Sequence, residues 1–201
     1  MSHSDLQVAL AASLAKANLD PGPASGLVPE DFVPTTSLRI TFGAKAVQLG
    51  TFFRASECRE APAISFAAAS EAENASHTLV LTDPDAPTPD DPRFAFWRHW
   101  ILSGLKASGA AGVVDWTGKD VTAYLGPGPK DDSKPHRYLF LLYREPKNLV
   151  LTKNDLGGEE FTQRRSFKPS EFAEKHNLVL VGVNWMTCAG DGWVGEVKDP
   201  V

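Results

Sequence analysis

The segment Thr78-Leu79-Val80-Leu81-Thr82-Asp83-Pro84-Asp85-Ala86-Pro87 sets the strongest limit on the fold. An apolar run of buried-strand length passes directly into two carboxylates held between prolines. Proline fixes φ and removes a backbone donor, so the carboxylates sit at a rigid strand end instead of wandering in solvent. Asp83 and Asp85 therefore mark a candidate site, although two aspartates among prolines also read as a plain turn.

Other strand-length runs surround this one. Leu38, Ile40 and Phe42 alternate with Arg39 and Thr41, the period of a half-buried strand. Ala61 to Phe66, Phe94 to Leu105, Tyr138 to Tyr143 and Leu178 to Val183 are further candidates. With irregular connections between them, they predict a mainly β, antiparallel architecture. One internal helix is well signalled, Pro169 to His176, with proline suited to its first turn and Asn177 to its C-terminal cap. At the N-terminus Leu6, Leu10 and Leu14 recur at i, i+4 and i+8 among alanines, which predicts a short amphipathic helix. Ser4 or Asp5 would cap it, and Asp20-Pro21-Gly22-Pro23 would stop it. A Pro/Gly-punctuated stretch then runs to Pro34. Residues 1–34 thus read as a helix on a semi-rigid arm and residues 35–201 as a β domain. The plainer alternative is a terminal helix packed on its own domain.

At 201 residues and 42% hydrophobic content, the chain can bury the core of one domain, with or without an arm. A net charge of -5 gives no basic footprint, so nucleic acid or an anionic membrane is not held by bulk electrostatics. Any anion must be bound locally. No apolar run has transmembrane length, and the first residues lack a secretory pattern. A cytoplasmic protein is the expectation, with a vacuolar or membrane-peripheral fraction left open. Cys58 and Cys188 belong to no C-x-x-C pair and are expected to be reduced thiols.

Three segments offer groups that could converge. The first is the aspartate turn. In the second, a period of two puts Trp97, His99 and Ile101 on one strand face, a polar tip beside a flat apolar wall. The third is Gly126-Pro127-Gly128-Pro129, closed after a short polar loop by His136-Arg137-Tyr138, with His136 and Tyr138 on one face and Arg137 pointing away. Gly126 and Gly128 keep backbone donors that the prolines lack, so the loop can present spaced amides to an anion. The set suits a phosphate-like or carboxylate group beside an aromatic wall, with Asp83 orienting a histidine. Two other chemistries stay open. Asp83, Asp85, His99 and His136 could hold a metal, though in no recognised zinc spacing. His99 or His136 could also serve a small hydrolase as general base, although no G-x-S-x-G occurs.

The D-P-D-A-P turn after T-L-V-L-T, the W-x-H pair and the glycine-proline loop ending in H-R-Y occur in that order. Together they resemble the phosphatidylethanolamine-binding protein family, also called Raf kinase inhibitor proteins. Arg164-Arg165-Ser166-Phe167 and the run from Phe172 to Leu178 extend the likeness, which covers about Leu38 to Cys188. The resemblance implies a large antiparallel sheet, a smaller second sheet and a few peripheral helices around an anion pocket for phosphatidylethanolamine-like headgroups. It implies a non-enzymatic binding protein without cofactor or metal, acting on a partner such as a serine carboxypeptidase or a kinase. The family's pocket residues correspond to Asp83, Trp97, His99, Gly126, Gly128, Pro129, His136 and Tyr138, with Asp85 expected to brace the turn. Pro129 is followed by Lys130 where members commonly carry a second proline, which leaves ligand preference open. The N-terminal helix on its arm is similar to that of fungal members, some of which inhibit the vacuolar protease carboxypeptidase Y. Inhibition through that arm is the alternative function.

Overall fold

The computed structural model describes residues 2–67, 75–108, 113–115 and 120–197. Its centre is β5 (His77–Asp83), buried at every position. On one side β5 pairs antiparallel with β6 (Trp97–Ser108), and on the other with β9 (His136–Arg144). β9 is followed outward by β10 (Val179–Ala189) and β3 (Thr51–Arg54), while β8 (Asp120–Thr122) lines the outer edge of β6. The smaller sheet runs β2 (Lys45–Ala46), β1 (Arg39–Phe42), β4 (Ala63–Ser65), β7 (Val113–Asp115), and is joined to the larger one by the C-terminal end of β6.

Pairing in the larger sheet is antiparallel except that β3 lies parallel to β10, so the sheet is mixed instead of purely antiparallel. The chain leaves the β1–β2 hairpin through Leu49 and Gly50, both at positive φ, and Gly50 N–H donates to Trp185 C=O at 2.7 Å. That turn starts β3 in the direction of β10.

The period-two alternation of the central strands explains the layering. Val80, Leu139, Leu141, Val183 and Trp185 share a core with α1 (His3–Lys16) and α2 (Pro169–Lys175). Leu79, Leu81, Phe140, Leu142 and Met186 share the opposite core with Ile40, Phe42 and Phe66 of the smaller-sheet side. β5 is therefore covered on both faces.

α1 is capped two to three residues before the expected Ser4 or Asp5. Ser2 is its cap, accepting from Asp5 N–H at 3.1 Å, while Ser2 N–H donates to the Asp5 carboxylate at 2.9 Å. Leu10 and Leu14 are buried, each contributing up to about 1.5–3 kcal/mol. Trp185 Nε1 also donates to Ser13 Oγ at 3.0 Å, so the helix lies against the sheet. α2 ends with Asn177 in left-handed backbone, which is the cap its sequence calls for. β10 runs beyond Val183 because the buried Asn184 is fully occupied. Its amide donates to Leu38 and Val47 C=O, and its oxygen accepts from Leu49 and Trp185 N–H.

Candidate functional site

Antiparallel pairing places the C-terminal end of β5 beside the start of β6 and the start of β9, with Asp83 opposite Trp97 and Thr82 opposite Leu139. Residues far apart in sequence therefore meet at one corner of the sheet. Asp83, Trp97, His99, His136 and Tyr138 are all buried there.

The two histidines do different work. Asp83 Oδ2 accepts from His136 Nδ1 at 2.8 Å, and Asp83 Oδ1 accepts from Asp85 N–H at 2.7 Å. His136 Nε2 faces Ser133 Oγ at 3.1 Å, so both ring nitrogens of His136 are engaged. Ser133 Oγ also reaches Lys134 C=O at 3.0 Å. The single hydroxyl proton can serve only one of these neighbours.

His99 is held differently. Its Nδ1 donates to Leu125 C=O at 2.6 Å, which leaves Nε2 as the nitrogen that gains or loses a proton. Nε2 lies 4.0 Å from Asp83, beyond hydrogen-bond reach. Burial lowers the affinity of His99 for a proton, and the nearby Asp83 only partly offsets this. Behind the ring, Arg164 donates to the carbonyls of His99 at 3.0 Å and Ala123 at 2.9 Å, fixing the strand from which His99 projects.

Trp97 supplies a wall, its ring centroid 6.4 Å from that of His99. Its indole N–H is buried without a hydrogen-bond partner among the described residues. Tyr138 packs edge-on to His99 at 5.2 Å and stacks with His136 at 6.2 Å, and burial pushes its hydroxyl well above the usual phenol range. The Gly126–Pro129 loop lies alongside, because Leu125 N–H donates to His99 C=O at 3.0 Å.

The two loop glycines have separate reasons. A Cβ on Gly126 would sit 2.5 Å from Cys58 C=O, whereas one on Gly128 would meet nothing within 4 Å. Gly128 is exposed between the buried Pro127 and Pro129. Gly126→Ala is expected to cost about 1–3 kcal/mol in urea denaturation. Gly128→Ala should stay within about 0.5 kcal/mol. Equal effects would contradict the packing role of Gly126.

Asp85 turns away from this corner. Its carboxylate accepts from Arg137 N–H at 2.7 Å, Nε at 2.8 Å and Nη2 at 2.5 Å. Arg137 Nη1 in turn donates to Ala17 C=O at 3.0 Å and Asn18 C=O at 2.8 Å, at the C-terminal end of α1. One guanidinium thus joins the aspartate turn to the N-terminal helix.

Ser133 and the Leu125 carbonyl are features of the corner that the motifs did not single out. Ser133 could have been found as the hydroxyl three residues before His136; the carbonyl depends on tertiary contacts. Two residues before Ser133, Asp131 Oδ1 accepts from Gly192 N–H at 2.9 Å. A side chain on Gly190 or Gly192 would overlap the Asp131 carboxylate. The turn after β10 is further held by Arg54, which donates to the carbonyls of Gly190 at 2.9 Å and Trp193 at 2.8 Å. Among the described residues no three His, Cys, Asp or Glu side chains are grouped as a metal ligand set. No helix of the described residues is long and apolar enough to cross a membrane.

A sheet corner that gathers a buried Asp–His pair, a second histidine and an aromatic wall defines a β protein with a buried polar cluster at its strand ends. The model of the phosphatidylethanolamine-binding protein family matches residues 30–184, and the chain belongs to that family. Protein MOTHER of FT and TFL1 homolog 2 of Oryza sativa subsp. japonica is 30% identical over 159 residues, which is 79% of this chain and 84% of the relative. Among solved structures, the carboxypeptidase Y inhibitor complexed with its cognate proteinase superposes with a TM-score of 0.74 at 23% identity, over 90% of this chain and 96% of that one. A phosphatidylethanolamine-binding protein from Plasmodium vivax gives 0.70 at 22% identity, over 89% and 96%. At such identities the likeness to these structures is one of fold.

Proposed function

We propose that the chain is a binding protein, without turnover of its own, that seats a phosphate or carboxylate group at the corner formed by Trp97, His99 and the Gly126–Pro129 loop. The headgroup phosphate of phosphatidylethanolamine is one such group, and occupancy regulates a protein partner. The observation that carries this reading is a pair of uncommitted nitrogens: the buried Trp97 indole N–H, without a partner among the described residues, and His99 Nε2, beyond reach of Asp83. Asp83 is already engaged by His136 and the Asp85 amide, so it braces the seat.

The reading has a pH signature. In the empty pocket burial holds His99 below its ordinary value, so the ring is neutral at pH 7. An anion beside Nε2 favours the protonated form, so binding takes up a proton. Affinity for a phosphodiester such as glycerophosphoethanolamine, whose phosphate does not titrate in this range, should therefore rise as pH falls. The rise should approach tenfold per pH unit at most and level off below the pKa of free His99. Calorimetric titrations between pH 8 and 5.5, with His99→Asn as control, test this. No binding at any pH, or an affinity that ignores pH, would count against the seat.

Inhibition of a serine carboxypeptidase through the N-terminal arm ranks below this reading. Inserting α1 into a protease cleft would withdraw Leu10 and Leu14 from the core and break the bond between Ser13 and Trp185.

A further inference from the structure

Beside Trp97 the chain builds a second feature that the anion seat does not use. The guanidinium of Arg165 lies 4.3 Å from the ring centroid of Phe94, 5.9 Å from that of Phe161 and 6.0 Å from that of Trp97. Phe161 is 61% exposed and packs edge-on against Trp97 at 4.7 Å, so the group forms a rim open to solvent.

Two neighbouring surface cations are already paired. Arg93, which approaches the same Phe94 ring at 5.5 Å, is paired with Asp91 at 3.5 Å, and Lys168 with Glu171 at 3.9 Å. Arg165 has no carboxylate within 4.0 Å among the described residues, and its buried Nε has no hydrogen-bond partner there. Stacking on aromatic faces holds the guanidinium plane while leaving its N–H edge available, and that planar fork matches an oxyanion. In a chain with net charge -5 an unpaired arginine here is not required for charge balance. Trp97 is common to both features, its ring centroid lying 6.4 Å from that of His99 and 6.0 Å from the Arg165 guanidinium.

We propose that Arg165 seats a second negative charge of the ligand, so that the rim selects phosphate esters bearing a carboxylate, the phosphoserine headgroup, over phosphoethanolamine. This rests on the anion seat at Trp97 and His99. O-phosphoserine and O-phosphoethanolamine differ by one carboxylate, so the pair isolates the contribution of Arg165. The same chemistry is offered by the free ester and by a phosphatidylserine headgroup.

The test uses the full chain with inorganic phosphate, O-phosphoethanolamine and O-phosphoserine, titrated at one pH and ionic strength. The wild type should bind phosphoserine about tenfold more tightly than phosphoethanolamine, a difference of one charge-assisted hydrogen bond. Arg165→Gln should erase that preference and leave inorganic phosphate unchanged, while Arg165→Lys, which keeps the charge without the fork, should retain part of it. Thermal unfolding of both variants guards against misfolding. Equal affinities for the two esters, or a preference that survives Arg165→Gln, overturns the inference while phosphate binding upholds the seat. Binding of none of the three overturns the seat and the inference with it. Co-sedimentation with phosphatidylcholine vesicles containing phosphatidylserine or phosphatidylethanolamine separates the sources. A preference seen in vesicles as well supports a lipid ligand, and one confined to the soluble esters supports a free phosphate ester.

Discussion

Replacing Asp83 with alanine is expected to lower the free energy of unfolding by about 2–5 kcal/mol, the cost of leaving two buried donors without their acceptor. The carboxylate is 2% exposed and satisfies two donors at once, His136 Nδ1 and the Asp85 amide. Without it His136 keeps only Ser133, and the amide that shapes the D-P-D turn loses its acceptor. Asp83→Asn should fall between the two proteins. Its single oxygen can serve one donor, but its NH2 then faces the other. Urea denaturation of the three proteins, with slopes compared to confirm two-state behaviour, checks the order. A loss below about 1 kcal/mol for alanine would mean that the pair contributes little to the fold.

The second large effect belongs to Arg137. Arg137→Ala leaves Asp85, 1% exposed, with the backbone amide of residue 137 as its remaining donor from that residue, and deprives Ala17 and Asn18 of their common partner. We expect a loss of about 3–5 kcal/mol. Its distribution is the more telling readout. Hydrogen exchange should accelerate through α1 beyond what the change in global stability accounts for, because the C-terminal carbonyls of the helix lose their cation. Exchange in β9 should follow the global change alone. Unaltered relative protection of α1 would show that Leu10 and Leu14 suffice to dock the helix and that the arginine serves only the turn.

Much of the fold is legible in the sequence because its central strands are long and apolar. β5, β6 and β9 span seven or more residues around apolar runs, and their ends are marked by proline or charge. Most of the short pieces are not legible. β2 has two residues and β7 and β8 have three each, too few for any periodicity to register, whereas β4 falls inside the expected strand Ala61 to Phe66. β10 reads as ending at Val183 because Asn184 looks like a surface residue, when its amide is spent inside on Leu38 and Val47. The parallel pairing of β3 depends on the path from the β1–β2 hairpin, which spacing does not encode.

The corner divides in the same way. Asp83, His99, His136 and Tyr138 can be named from residue type and from facing along each strand. That they meet depends on register, Asp83 opposite Trp97 and Thr82 opposite Leu139, which is a property of strand pairs. The separate assignments of the histidines come from Ser133 and the Leu125 carbonyl. A carbonyl has no sequence signature, since every residue carries one. Arg165 lies inside a recognisable R-x-x-F stretch, but its stacking on Phe94, Trp97 and Phe161 joins segments that only the fold brings together.

The contact between Asp131 and the Gly190–Gly192 turn bears on the thermodynamics of ligand capture. A loop that must be immobilised when its ligand arrives charges that lost entropy against affinity. Here the segment running from Pro129 to Ser133 is pinned during folding, by a turn that contributes no group to the corner. Truncating the chain after Ala189 would transfer the ordering cost from folding to binding. Affinity would fall although every residue proposed to touch the anion remained in place.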